Sequence, residues 1–289
     1  MKAFAFAPGH ISGFFEPFYH PDDINRSGSR GAGINILHGA ISEVNIESSN
    51  KQIIETYINN RKSSAPVTNL ALKYLIGDKS LKLTIKTKLT LPNGQGFGMS
   101  AAGTLSATLA AVRPLGLNKN DAMKASHFAE IKLLTGLGDV LASSFGGLEI
   151  RKTPGLPPWG IIEHIPCKSD IVLCIVGKKI DTKKFLSDKK VMEKVIEYGR
   201  YCTKKILEKP SIENFFNLSQ IFTTKTGIAD KKIIDAINAA NNFGLASMCM
   251  LGNSVFAIGK TKELSKVLSS FGKVSVTSVD ECGARIITD

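Results

Sequence analysis

The run Pro92-Asn-Gly-Gln-Gly-Phe-Gly-Met-Ser-Ala-Ala-Gly-Thr104 sets Gly94, Gly96 and Gly98 ahead of Ser100, at the start of an expected helix. Glycine lets the main chain come close to an anion, and the first N–H groups of a helix lack internal partners. Such a run is suited to cradle a phosphate. Two better-known phosphate loops do not fit. A P-loop needs lysine and then serine or threonine after its last glycine, whereas Gly98 is followed by Met99. The dinucleotide pattern G-x-G-x-x-A is met by Gly96, Gly98 and Ala101, with Asp121 further on. The strand before the loop, Leu81 to Leu89, nevertheless alternates apolar and polar residues as a half-exposed strand does, and Asp121 opens a helix instead of ending a strand. The remaining alternative is a glycine turn that starts a helix and binds nothing.

Two acids complete a set of parts. On an expected helix from Asn118 to Leu134, Met123, His127, Glu130 and Leu134 fall on one stripe, so two ionisable side chains share a partly apolar face. Asp139 follows the turn Thr135-Gly-Leu-Gly138 and precedes a short helix, where an N-cap role competes with a chemical one. Phosphoryl transfer needs a phosphate cradle, oxygen ligands for Mg²⁺ and a carboxylate to take the nucleophile's proton. With the glycine run as the cradle, Ser100, Glu130 and Asp139 supply those parts.

The elements that must hold them read as α+β. Residues 1–17 and 33–58 are expected as strands, Ser64 to Ile76 as a helix and Leu81 to Leu89 as the strand feeding the loop. Ser100 to Val112, rich in Ala, Leu and Ser, predicts a buried helix stopped by Pro114 and Gly116. Gly146-Gly147 then lead into a strand through Arg151. Thr153-Pro-Gly-Leu-Pro-Pro-Trp-Gly160 has a linker's composition, which divides the 289 residues into domains 1–155 and 156–289. The second predicts a strand from Asp170 to Gly177, amphipathic helices over 189–209, 211–224 and 230–243, then strand, helix, strand.

Composition narrows the class. The net charge of +12 is carried by scattered pairs such as Lys178-Lys179, Lys183-Lys184 and Lys204-Lys205, with acids between them and few aromatics interleaved. That is a solvated surface more than a nucleic-acid footprint. The apolar runs are far short of a membrane span, and the start is too brief for a signal peptide, so a cytoplasmic protein is expected. Five cysteines, all in the second half and without a C-x-x-C pair, read as buried thiols.

The order of Ala7-Pro-Gly-His10, Gly96-Phe-Gly-Met-Ser-Ala-Ala102, Glu130 with Asp139 and Gly146-Gly147, and a late loop at Gly252-Asn-Ser254 resembles the GHMP kinase superfamily over essentially the whole chain. The resemblance implies a ribosomal-protein-like α/β N-terminal domain and a ferredoxin-like C-terminal domain with ATP between them. Within that superfamily, Pro8-Gly-His-Ile-Ser-Gly-Phe-Phe-Glu-Pro17 and Arg26-Ser-Gly-Ser-Arg-Gly-Ala-Gly33 are similar to the archaeal pantoate kinases, which phosphorylate the C4 hydroxyl of pantoate on the way to coenzyme A. His10 stands where mevalonate kinase carries lysine, Met99 replaces a serine, and the late loop lacks the usual Gly-x-Gly-Gly.

By position, the resemblance implies that the backbone of Gly94, Gly96, Gly98, Met99, Ser100 and Ala101 holds the nucleotide phosphates. Ser100 and Glu130 are implied as Mg²⁺ ligands and Asp139 as the base. Ser29, His127, Arg151 and His10 are implied for the substrate, with Ser27 as an alternative to Ser29. Arg151 suits a carboxylate because its planar fork can make two parallel hydrogen bonds. The expected partner is a small hydroxy acid, with no nucleic acid and no membrane, and the resemblance admits a homodimer. Another hydroxy acid or alcohol, such as homoserine or mevalonate, would use the same parts; RNA binding by a degenerate kinase is the reading from a different class.

Overall fold

The computed structural model describes residues 1–179 and 188–287 and is α+β, with helices packed on two sheets. The Lys183-Lys184 pair lies outside the described residues. The first sheet is built on two long strands, β1 (Lys2–Phe18) and β2 (Gly28–Ser48), paired antiparallel along nearly their whole length. β3 (Ile53–Ile58), β4 (Arg61–Ser63) and β5 (Leu81–Leu89) extend it, with β5 on β2 and β3 parallel to β5. The stretch 33–58, expected as extended throughout, is therefore two strands, and the first begins already at Gly28.

β2 changes neighbour along its length. Ala40 to Ser48 pair with β5, while Gly31 to Ile34 pair with β6 (Leu148–Thr153). This brings β6 beside the middle of β1 across a single strand. β1 carries register shifts between Pro8 and Gly9 and between Ser12 and Phe14, one on each side of His10. Irregularities of this kind bend a strand and re-aim its side chains.

Four helices follow the first sheet in part: α1 (Pro66–Ile76), α2 (Met99–Leu115), α3 (Lys119–Leu133) and α4 (Asp139–Phe145). α2 is buried at Met99 and at every position from Ala101 to Val112, which its small and apolar residues allow as it packs on β1, β2, α1 and α3. Pro114 lies inside its last turn instead of ending it, and Gly116 makes the stop in the left-handed region.

The Pro/Gly-rich segment 153–160 is followed by β7 (Ile161–Ile165), which pairs back on β6, so the expected boundary at 155/156 falls within a hairpin of the first sheet. The second sheet, β8 (Asp170–Ile175), β9 (Gly244–Met248), β10 (Ser254–Gly259) and β11 (Lys273–Ser278), has the antiparallel order β11-β8-β10-β9. Its helices are α5 (Lys189–Glu208), α6 (Ile212–Thr226), α7 (Lys231–Ala240) and α8 (Thr261–Leu268). β12 (Arg285–Ile287) then returns to pair with β1. The two sheets share a core: Phe14 on β1 meets Phe215 on α6, which with Phe216 and Phe256 forms an aromatic cluster. None of the described helices is long and apolar enough to cross a membrane.

Candidate active site

A cleft opens where the glycine loop, the start of α2, the end of α3, the start of α4, β1 and the late loop meet. Its lining includes Asn93, Gly94, Gly96, Phe97, Gly98, Met99 and Ser100 on one side, and Glu130 with Thr135 to Asp139 on another. His10, Ser12, Phe15 and Ser29 come from the two long strands, and Met250 and Leu251 from the late loop.

The loop is held for close approach. Gly98 takes the N-cap position of α2 at φ +63°, where a Cβ would come 3.0 Å from the main-chain N and O of His10. No side chain caps this helix and no acidic residue stands in its first turn. Its first internal bond runs from the Ala102 N–H to the Gly98 carbonyl, so the N–H groups before it are left for an anion or solvent. The second sheet braces the same loop: Gln95 donates from Nε2 to the Gly177 carbonyl at 3.0 Å, and its Oε1 accepts from Ser254 Oγ at 3.2 Å. A Cβ on Gly252 would collide with the main chain of Gln95 and Gly96, which gives the late loop its part in the site.

Ser100 and Glu130, thirty residues apart, are joined by a hydrogen bond of 2.9 Å from the serine hydroxyl to Oε1. Glu130 is 3% exposed, and burial, reinforced by the charge of Asp139, pushes its carboxyl up to about 7 despite the bonds from Ser100 and Thr135. A Cβ at Gly136 would collide with Glu130 Oε2, so the glycine makes room for the carboxylate. The pair presents hard oxygen donors suited to Mg²⁺. Among the described residues no cluster of three or more His, Cys, Asp or Glu could hold a metal. A cation on this pair would therefore complete its shell with phosphate and water oxygens, as Mg²⁺ commonly does.

Asp139 opens α4 with its side chain 31% exposed. Its Oδ1 lies 2.7 Å from His10 Nδ1. Burial would raise the Asp139 carboxyl, yet the bond and charge of His10, with the charge of Arg151, hold it below the usual range. His10 itself is fully enclosed, with Nε2 3.0 Å from Glu149 Oε1. Burial works against its protonation, but Asp139 and Glu149 together outweigh it and raise the imidazole above its ordinary value. The ring fits because residue 33 is glycine; a Cβ there would collide with Nε2.

The four expected substrate residues are placed differently. Ser29 lines the cleft, whereas Ser27 is turned away, its Oγ accepting from the His20 N–H and donating to the His20 carbonyl. His10 reaches the cleft wall but spends both ring nitrogens on carboxylates. Arg151 is 0% exposed, directly behind Gly138 and Ser29, and pairs through Nη1 with Glu149. Its Nε and Nη2 are buried without a partner among the described residues. Buried guanidinium donors are costly when unpaired; Arg151 does not itself line the cleft, and its Nε lies against Gly138, which does. His127 does not line the cleft; its Nε2 lies 3.1 Å from the carbonyl of Ile24, in the short turn Ile24–Arg26 that precedes Ser27 and Ser29. Burial lowers its pKa and favours the neutral ring, whose N–H is donated to that carbonyl.

Glu149 and Gln95 were not among the expected residues. Glu149 had a signal, since it alternates with Arg151 on one face of an otherwise apolar strand, Leu148-Glu-Ile-Arg151. Gln95 had none beyond its position between two glycines.

A sequence profile described as the GHMP kinases N terminal domain matches residues 65–147, which span α1 through α4. The pantoate kinase of Methanocaldococcus jannaschii is 35% identical over 266 residues, covering 91% of this chain and 95% of that protein. The pantoate kinase of Methanospirillum hungatei is 34% identical, covering 98% of this chain and 96% of its own. A solved structure titled as a phosphotransferase related to the CoA biosynthesis pathway superposes with a TM-score of 0.90 at 27% identity, covering 99% of this chain and 98% of that one. With its fold, its glycine loop and these relatives taken together, the chain belongs to the pantoate kinase family of the GHMP kinases.

Proposed function

We propose that this kinase transfers the γ-phosphoryl group of ATP to the C4 hydroxyl of (R)-pantoate, giving 4-phosphopantoate for coenzyme A synthesis in the cytoplasm. The observation that carries the reading is the placement of three oxygen groups around one cleft: the Ser100–Glu130 pair beside the open start of α2, and Asp139 on the same wall as Glu130. Relatives named as pantoate kinases over nine-tenths of the chain support the substrate.

The residues take these parts. The N–H groups of Gly98 to Ala101 bind phosphate oxygens, with Gly94 and Gly96 shaping the approach. Ser100 Oγ and Glu130 would hold Mg²⁺, with Glu130 binding it as the carboxylate. Mg²⁺ held there would supply the positive charge that offsets the negative charge shifting during transfer. Arg151 Nε and Nη2 donate to the pantoate carboxylate next to Ser29, and His127 fixes the turn that precedes Ser29. That anchoring leaves the far hydroxyl near Asp139, which orients it and takes its proton as the oxygen–phosphorus bond forms.

An ADP-release assay with ATP, Mg²⁺ and a panel of pantoate, homoserine, mevalonate, glycerate and pantothenate tests the reading. Turnover is expected on pantoate and lost by about 10²- to 10⁴-fold in Asp139→Asn, with nucleotide affinity nearly unchanged. Turnover on another member of the panel would replace the substrate and keep the kinase.

A further inference from the structure

Asp139, His10, Glu149 and Arg151 form an unbroken chain of alternating acid and base groups running inward from the cleft. Its members come from α4, β1 and β6, which β2 and the turn before α4 bring together. His10 and Glu149 have no exposed side-chain surface. An ionised carboxylate only accepts hydrogen bonds, so an imidazole lying between two of them satisfies both only by donating from both nitrogens. With His10 as imidazolium, two anions alternate with two cations and the buried part is balanced by Arg151. Arg151 Nη1 and His10 Nε2 stand 3.4 Å apart because both point at the same Glu149 oxygen.

We propose that His10 is the positioning residue for Asp139, held by Glu149 so that it grips Oδ1 and leaves Oδ2 as the oxygen for the substrate hydroxyl. This rests on the reading of Asp139 as the base. The geometry gives Oδ2 no hydrogen bond among the described residues, and it lies on the side of Gly136, which lines the cleft. The register shifts on either side of His10 and the missing Cβ at Gly33 are the local devices that set the ring in place. A fixed carboxylate saves the reorganisation that a freely rotating one would need at each turnover. His10 thereby ceases to be a substrate ligand and acts through its neighbour.

Two amides separate this role from a merely structural one. In His10→Asn the side-chain N–H₂ reaches the place of Nδ1 and keeps the bond to Asp139; in His10→Gln it reaches the place of Nε2 and keeps only the bond to Glu149. Turnover is expected to fall by about tenfold in the Asn variant and by about 10²-fold in the Gln variant, with KM for pantoate and nucleotide affinity within about threefold in both. Equal losses, unchanged turnover, or a raised KM without loss of turnover would each overturn the proposal. Asp139→Asn measured alongside keeps the two readings apart: if it retains turnover, the base assignment fails, and if it alone is impaired, only the positioning role fails. Should either His10 variant not fold, ¹⁵N-histidine spectra of the native protein decide. Two ring N–H signals for His10 at neutral pH are expected, and one bare ring nitrogen would overturn the proposal.

Discussion

α2 and α3 follow one another in the chain and begin in opposite ways. α3 is closed by a reciprocal cap, in which Asn118 accepts from the N–H of Asp121 and Asp121 accepts from the N–H of Asn118. α5, α6 and α7 are likewise capped by Asp188, Ser211 and Asp230. α2 begins at a glycine with no side chain over its first turn, and that turn lines the cleft. A glycine at the helix start gives up only a few tenths of a kcal/mol, roughly, relative to a good side-chain cap. α1, α4 and α8 also lack a side-chain cap; at α2 the bare start follows Gly94, Gly96 and Gly98 into the cleft, where an anion can supply the missing acceptors.

Giving α2 the kind of cap its neighbour has should break this contrast most strongly. Gly98→Asp sets a carboxylate at the bare start of α2, at a left-handed position where its Cβ also meets the His10 main chain at 3.0 Å, and like charges set together cost several kcal/mol. Nucleotide affinity should fall by at least about 10²-fold, measured by titration calorimetry. An affinity within threefold of the native value would remove α2 from the phosphate site.

The far end of α3 sharpens the contrast, because Glu130 is kept under strain where Asn118 is kept satisfied. Its carboxyl titrates at about 7 when folded, against an ordinary 4.5. Between those values the folded chain holds a proton that the unfolded chain has released. Stability therefore falls as pH rises through that window, and the cost is complete above it. Glu130→Gln should abolish Mg²⁺-dependent turnover and yet raise the stability of the ligand-free protein at pH 8 by up to about 3 kcal/mol, with no gain at pH 4. Denaturant melts at the two pH values check this, and a variant less stable at pH 8 would contradict it. In the native protein, Mg²⁺ affinity should weaken by about tenfold for each pH unit below 7, since a proton competes for the same oxygen.

The smallest effect belongs to the closed end. Asn118→Ala should cost about 1 kcal/mol of stability and leave kcat and KM within about twofold. A marked loss of nucleotide affinity in that variant would mean that the two helix starts are coupled, and the contrast would lose its basis.

The parts of the site that were legible in the sequence are those set by neighbours in the chain. Three glycines before Ser100, the stripe carrying Glu130, and Asp139 after a Gly-x-Gly turn are local patterns, and the fold places all three at one cleft. The chain from His10 to Arg151 was not legible, since it depends on β6 pairing with the first half of β2 while β5 takes the second half. No periodicity within either strand specifies that exchange of partners. Segment 153–160 misled for a related reason: proline and glycine mark a hairpin and a linker alike, and only the pairing of β7 with β6 tells them apart. The three residues of β12 are too few to carry a pattern of their own.

The brace on Gln95 bears on how this sequence can diverge. Gln95 is tied at once to the Gly177 carbonyl and to the Ser254 hydroxyl, while Gly252 lies against its main chain with no room for a methyl group. A larger residue at 252 or a loss of the amide at 95 is expected to move the glycine loop that lines the cleft. Residues some 160 positions apart in the chain thus answer to one constraint. Positions 95, 252 and 254 are expected to drift together among descendants of this sequence, and a change at one should become tolerable only after a compensating change at another.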